Sequence, residues 1–99
     1  MKKYESVIIL KATLTEQDVS KVVLRIEETI NKYGEITQKD DIGIKKLAYE
    51  IKKNATGHYI VFQFKIGDEK STEAVRELER IYRITDEIIK FITIKIDEE

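Results

Sequence analysis

The chain of 99 residues has no cysteine and a single histidine, His58. Without cysteine there can be no disulfide framework, no thiolate nucleophile and no cysteine-ligated zinc or iron–sulfur centre. One histidine cannot build a histidine-based metal site, and no serine–histidine–aspartate order surrounds it. The four glycines are scattered singly, so neither a G-x-G-x-x-G nor a Walker loop is present to cradle phosphates. Long apolar runs are also missing. Lys2 and Lys3 precede Val7–Leu10, which is far shorter than a signal-peptide core, and nothing approaches the ~20 apolar residues of a membrane span. No membrane association, cofactor or small-molecule substrate is expected, and the expected compartment is the cytoplasm. Nor is there an excess of one charge: 18 Lys and Arg against 19 Asp and Glu leave a formal −1, which argues against a uniformly basic nucleic-acid coat.

The residues present describe a globular chain, 41% hydrophobic and 37% charged. Its length fits one domain, 1–99, ending in a short acidic tail at 97–99. Lys3–Leu10 alternates like a strand, with Ser6, Ile8 and Leu10 on one face and Val7 and Ile9 on the other. Thr15, with Asp18 three residues later, reads as a helix N-cap. Val19, Val22, Val23, Ile26, Ile30 and Tyr33 then recur at helical spacing, and Gly34 is expected to end the helix in a left-handed conformation. Glu35–Ile51 turns strand-like with a bulge or bend at Gly43. Asn54–Gly57 reads as a turn, and His58–Ile66 is the clearest strand, with Ile60, Phe62, Phe64 and Ile66 on one face. A second helix follows over about Ser71–Arg83, and Ile88–Ile96 is the last strand.

The order β-α-β-β-α-β predicts an α+β, ferredoxin-like fold: a four-stranded antiparallel sheet with two helices on one face. The other face would be bare. Val7 and Ile9 on the first strand should stand beside Tyr59 and Val61 on the third, an apolar set that is either a partner surface or shielded by neighbouring stems such as Lys65 and Glu5. In the last strand either Ile92, Ile94 and Ile96 or Phe91 and Thr93 could face the helices.

Two functions known for such folds fail on the residues. Acylphosphatases hold phosphate with an arginine and backbone amides in the first strand-to-helix loop, whereas Lys11–Thr15 has neither arginine nor glycine. RNA recognition motifs stack bases on third-strand aromatics, but Thr56–Phe64 lacks the basic first position and second glycine, and Ile60 fills a stacking position. No enzymatic activity is expected. Local charge is more informative than its total. Lys2, Lys3 and Lys11 stand against Glu5 alone, and residues 39–53 carry five lysines against three acids, while the acids gather on the second helix and the tail. Such lysines either touch phosphates without reading sequence or guard a solvated edge strand against pairing.

Lys2-Lys3-Tyr4-Glu5 opens the first strand, Gly43-Ile44-Lys45-Lys46-Leu47-Ala48-Tyr49-Glu50-Ile51 fills the second, and Gly57-His58-Tyr59 opens the third. This combination closely resembles the bacterial ribosomal small-subunit protein S-six family, over essentially the whole chain. The resemblance implies a structural protein of the ribosome that binds the central domain of 16S rRNA, together with ribosomal protein S-eighteen as a heterodimer. It implies phosphate contacts at Lys2, Lys3, Lys45 and Lys46, with Lys90 as a further RNA candidate. Tyr49 then joins Val7, Ile9, Tyr59 and Val61 as a candidate partner surface. The alternative is a ligand-binding or regulatory module that dimerises through its sheet and acts away from the ribosome.

Overall fold

In the computed structural model, which describes residues 1–96, the first strand β1 runs from Lys2 to Lys11. Helix α1 follows over Glu16–Tyr33, then β2 over Gly34–Ile51, β3 over Asn54–Ile66, α2 over Ser71–Ile84 and β4 over Ile88–Ile96. A short 3₁₀ turn, Asp68–Lys70, leads into α2. The acidic tail expected at 97–99 lies outside the described residues.

The strands form one sheet in the order β2-β3-β1-β4, every neighbouring pair antiparallel. Register follows from which side chains need burial, since a slip of one residue would turn each strand inside out. Ser6 opposes Phe62, Ile8 opposes Ile60 and Leu10 opposes His58, so the apolar sets of β1 and β3 share a face. Both helices lie on that face. Val22, Ile26 and Ile30 of α1, with Ala74, Leu78 and Tyr82 of α2, close over Ile8, Leu10, Ile60, Phe62, Phe64, Ile66 and Ile88. Thr15 caps α1 as expected, its hydroxyl accepting the Asp18 N–H at 3.2 Å.

Pairing also resolves the last strand. Phe91 opposes Ile8 and Thr93 opposes Ser6, so these two face the helices, and the Ser6 and Thr93 hydroxyls bond at 2.8 Å. Ile92 and Ile94 point the other way, each half exposed.

Two expectations need correction. Gly34 is extended (φ −168°), not left-handed, and begins β2. Glycine is required there for room: a Cβ would stand 2.0 Å from the Lys65 carbonyl oxygen. Asn54–Gly57 is strand rather than turn. The hairpin instead reverses at Lys52 and Lys53, whose φ values of 47° and 65° are left-handed. Asn54 supports the reversal from outside, donating its side-chain N–H to the carbonyls of Ile51 and Lys52. The bulge at Gly43 is present, with φ 92° and a register shift between Asp41 and Gly43.

Candidate nucleic-acid and partner interface

The sheet face turned away from the helices is only partly bare. β2 and β3 pair, with register shifts between Ile36 and Gln38 and between Asp41 and Gly43, as far as Lys46 and Thr56, then pairing lapses until Ile51 meets Asn54. Over that break the end of β2 leaves the sheet plane and crosses its outer face. Leu47 lands on Ile9 of β1 and Ile89 of β4 in a small second core flanked by Ile51 and Tyr59. Burying a leucine so completely is worth about 1.5–3 kcal/mol. Gly57 makes the descent possible, because a Cβ there would lie 2.3 Å from the Ile9 side chain and 3.4 Å from that of Leu47. Ile89 reaches this side through the β4 bulge, which lets Ile88 and Ile89 bury on opposite faces.

The crossing segment leaves an apolar cleft of about 220 Å³ beside it, with Val7, Ile9, Leu47, Tyr49, Tyr59 and Ile92 in its walls. Tyr49 is 65% exposed, and its ring and hydroxyl approach the Lys90 ammonium, 5.8 Å from the ring centroid and 3.5 Å from the oxygen. The apolar surface continues along a row of paired residues, Val61, Val7 and Ile92, to Ile94 beyond. Of the five residues expected at a partner surface, four therefore meet in one cleft, and Val61 adjoins it through Val7. Ile9 differs from expectation in being buried: it is the floor of the cleft, covered by Leu47. Ile92 and Ile94 were missed, since alternation alone could not tell which β4 face pointed outward.

The candidate RNA lysines do not form one cluster. Lys2 opposes Ile66 and Lys45 opposes Gly57, at the two ends of β3, about 30 Å apart at ~3.3 Å per residue. Within each pair the side chains diverge. Lys45 and Lys3 share the outer face with Gly57 and Lys65, whereas Lys46 and Lys2 share the helix face with Thr56 and Ile66. Lys90 opposes Ile9 on the outer face and lines the apolar cleft.

Elsewhere the titratable groups have structural settings. His58 pairs with Asp41 at 2.6 Å, and the same carboxylate oxygen accepts the Gly43 N–H at 3.0 Å, pinning the bulge. The Tyr33 hydroxyl bonds Glu77 across the two helices. That bond, together with desolvation, pushes the phenol up to about 12, and the same bond holds the carboxyl below its ordinary value. Among the described residues there is no group of three or more His, Asp or Glu able to hold a metal. No helix among them is long and apolar enough to cross a membrane.

The chain is similar to known proteins over nearly its whole length. The family model described as Ribosomal protein S6 matches residues 3–95. Small ribosomal subunit protein bS6 of a Nitratiruptor species is 43% identical over 98 residues, spanning 98% of this chain and 73% of the relative. The protein of that name from Campylobacter lari is 42% identical over 100 residues, spanning all of this chain and 77% of its own. The crystal structure of 30S ribosomal protein S6 from Thermotoga maritima superposes with a TM-score of 0.85 at 34% identity, covering 96% of this chain and 87% of the other.

Proposed function

Because the chain belongs to the ribosomal protein S6 family, structural components of the small ribosomal subunit rather than enzymes, we propose that it binds the central domain of 16S rRNA jointly with ribosomal protein S-eighteen. The observation that carries this reading is the outer sheet face. There an open apolar cleft, with Val7, Tyr49, Tyr59 and Ile92 in its walls, meets a cation, Lys90, at its rim. A contiguous apolar surface of this kind suits a protein partner, and lysines beside it suit phosphates brought up by that partner. S-eighteen takes the cleft and the Val61–Val7–Ile92 row. Lys3, Lys45 and Lys90 touch phosphates along the outer face, with Lys2 and Lys46 reaching them around the sheet ends.

A near-neutral protein gains little from the phosphate field by itself, so sharing RNA with a basic companion is the economical arrangement. The test is the variant Ile92→Asp, which places a carboxylate at a half-exposed position and spares the core. Heterodimer formation with S-eighteen, measured by calorimetry, should weaken at least about tenfold, since an uncompensated charge in a desolvated interface costs about 2 kcal/mol or more. Unchanged affinity would remove the partner surface from this face. A tight homodimer in sedimentation, with no uptake of S-eighteen, would favour the dimerisation module instead.

A further inference from the structure

A second cleft, about 630 Å³, opens where the β2–β3 hairpin tip comes over the corner between the end of α2 and the start of β4. Four cations line it, Lys11 of β1, Lys52 of the hairpin, Arg83 of α2 and Lys90 of β4, against one carboxylate, Asp86. Lys90 is a named RNA candidate in the sequence, and Lys11 and Lys52 belong to its lysine-rich stretches, but Arg83 does not stand out there and only the topology brings the four together. We infer that this cleft seats a stretch of RNA phosphodiester backbone, held by Lys11, Lys52 and Arg83 and reaching the partner surface at Lys90. The inference rests on the RNA-binding reading and adds the place where the backbone lies.

Three observations support it. First, the cations are not used up internally. Among the described residues no carboxylate lies within ion-pair distance of Lys11 or Lys52, and the one carboxylate near Arg83 is Glu79, at 3.9 Å and beyond hydrogen-bond reach. The Arg83 guanidinium lies over the Phe91 ring, 5.9 Å from the centroid, which leaves its N–H groups free to donate. Cations also complement the carbonyl end of a helix, but α2 presents about half a negative charge there, which one lysine or arginine answers. Thr85 already donates to the Ile81 carbonyl.

Second, the hairpin keeps Lys52 and Lys53 in left-handed backbone, where asparagine and glycine are the unstrained choices. Each such lysine costs about 1 kcal/mol or more, and Lys52 reaches the cleft from this strained position. Strain maintained at a charged tip is expected where the charge has a use.

Third, the walls are fixed before any ligand arrives. The Lys11 N–H donates to the Glu87 carbonyl at 2.9 Å, locking the end of β1 to the α2–β4 connection. Asn54, also in the cleft wall, braces the hairpin tip through its two side-chain bonds. Lys90 borders both this cleft and the apolar one, so RNA here would touch whatever protein occupies the other.

The experiment is a salt titration of binding to a 16S rRNA transcript with S-eighteen present, for the parent chain and for Lys52→Gln with Arg83→Gln. Both side chains are exposed, so folding is spared, and a melting curve verifies it. A control pair, Lys21→Gln with Lys70→Gln, removes the same charge at exposed helix-side positions. Loss of two phosphate contacts should lower the slope of log K against log salt by roughly 1.8 on a duplex, with the control nearly unchanged. Equal slopes for all three proteins, or equal reductions in variant and control, would overturn the cleft while leaving the RNA reading intact. Failure of the parent chain itself to bind would overturn the reading and the cleft together. Saturable binding of a free nucleoside triphosphate, abolished in the variant without any change in rRNA binding, would reassign the cleft to small phosphates.

Discussion

At the scale of single residues, the least satisfied group lies in the main core. Tyr82 is 1% exposed and its hydroxyl makes no hydrogen bond; Ser6 lies beside it but pairs with Thr93. An orphaned buried hydroxyl costs about 1–3 kcal/mol, while its ring packs against Phe91 at a centroid distance of 5.0 Å. Tyr82→Phe keeps the ring and removes the orphan, so denaturant unfolding should show a gain of about 1 kcal/mol. A loss of that size would mean the hydroxyl is bonded in solution. The same group sets an alkaline limit. Burial raises Tyr82 from its ordinary value of 10.0 to about 12. The unfolded chain therefore releases this proton first, and stability that is complete below pH 10 declines as pH rises toward 12. Tyr33, held up by Glu77, contributes in the same direction. Melting temperature measured from about pH 9 to 12 should fall less steeply in Tyr82→Phe than in the parent chain.

At the scale of elements, the hairpin of β2 and β3 decides what the outer face looks like. Its descent depends on Gly57, where a side chain would collide with Ile9 beneath the covering Leu47. Gly57→Ala should lift Leu47 off Ile89, costing about 1–3 kcal/mol as an overpacked site and exposing Ile9. Hydrogen exchange would register the change at Ile9 and Ile89 but not at Ile26 or Leu78, which belong to the other core. Protection lost equally in both cores would contradict the separation.

This hairpin also marks where sequence reasoning stops. Strands and helices were legible because their faces obey periods of two and of about 3.6, as at Ile60, Phe62 and Phe64 or at Val22, Ile26 and Ile30. The turn was misplaced because Asn54 and Gly57 are turn-forming residues by composition. The backbone instead reverses at two lysines, with Asn54 acting through its side chain and Gly57 through its lack of one. No local pattern announces that Leu47 will cross the sheet to reach Ile89.

At the scale of the whole molecule, helices cover one face and the other carries the apolar cleft, while the basic cleft opens at the corner between the end of α2 and the start of β4, with Lys90 bordering both. The formal charge of −1 hides this division, because residues 68–87 carry seven acids against four bases and the tail adds three more acids, while cations from four elements converge at one corner. Val7, Ile9, Tyr49 and Tyr59 were legible as a surface since alternation places the strand residues on one face once the element order is known, and the family resemblance adds Tyr49. Lys11, Lys52 and Arg83 were not, since their proximity exists only in three dimensions. On the proposed reading, protein and RNA bind side by side across the Lys90 boundary, each favouring the other. The most direct test is to titrate the purified chain into 16S rRNA with and without S-eighteen at several salt concentrations. The predicted result is weak binding alone, and tight, steeply salt-dependent binding when S-eighteen is present. Equal affinity with and without S-eighteen, at every salt concentration, would contradict it.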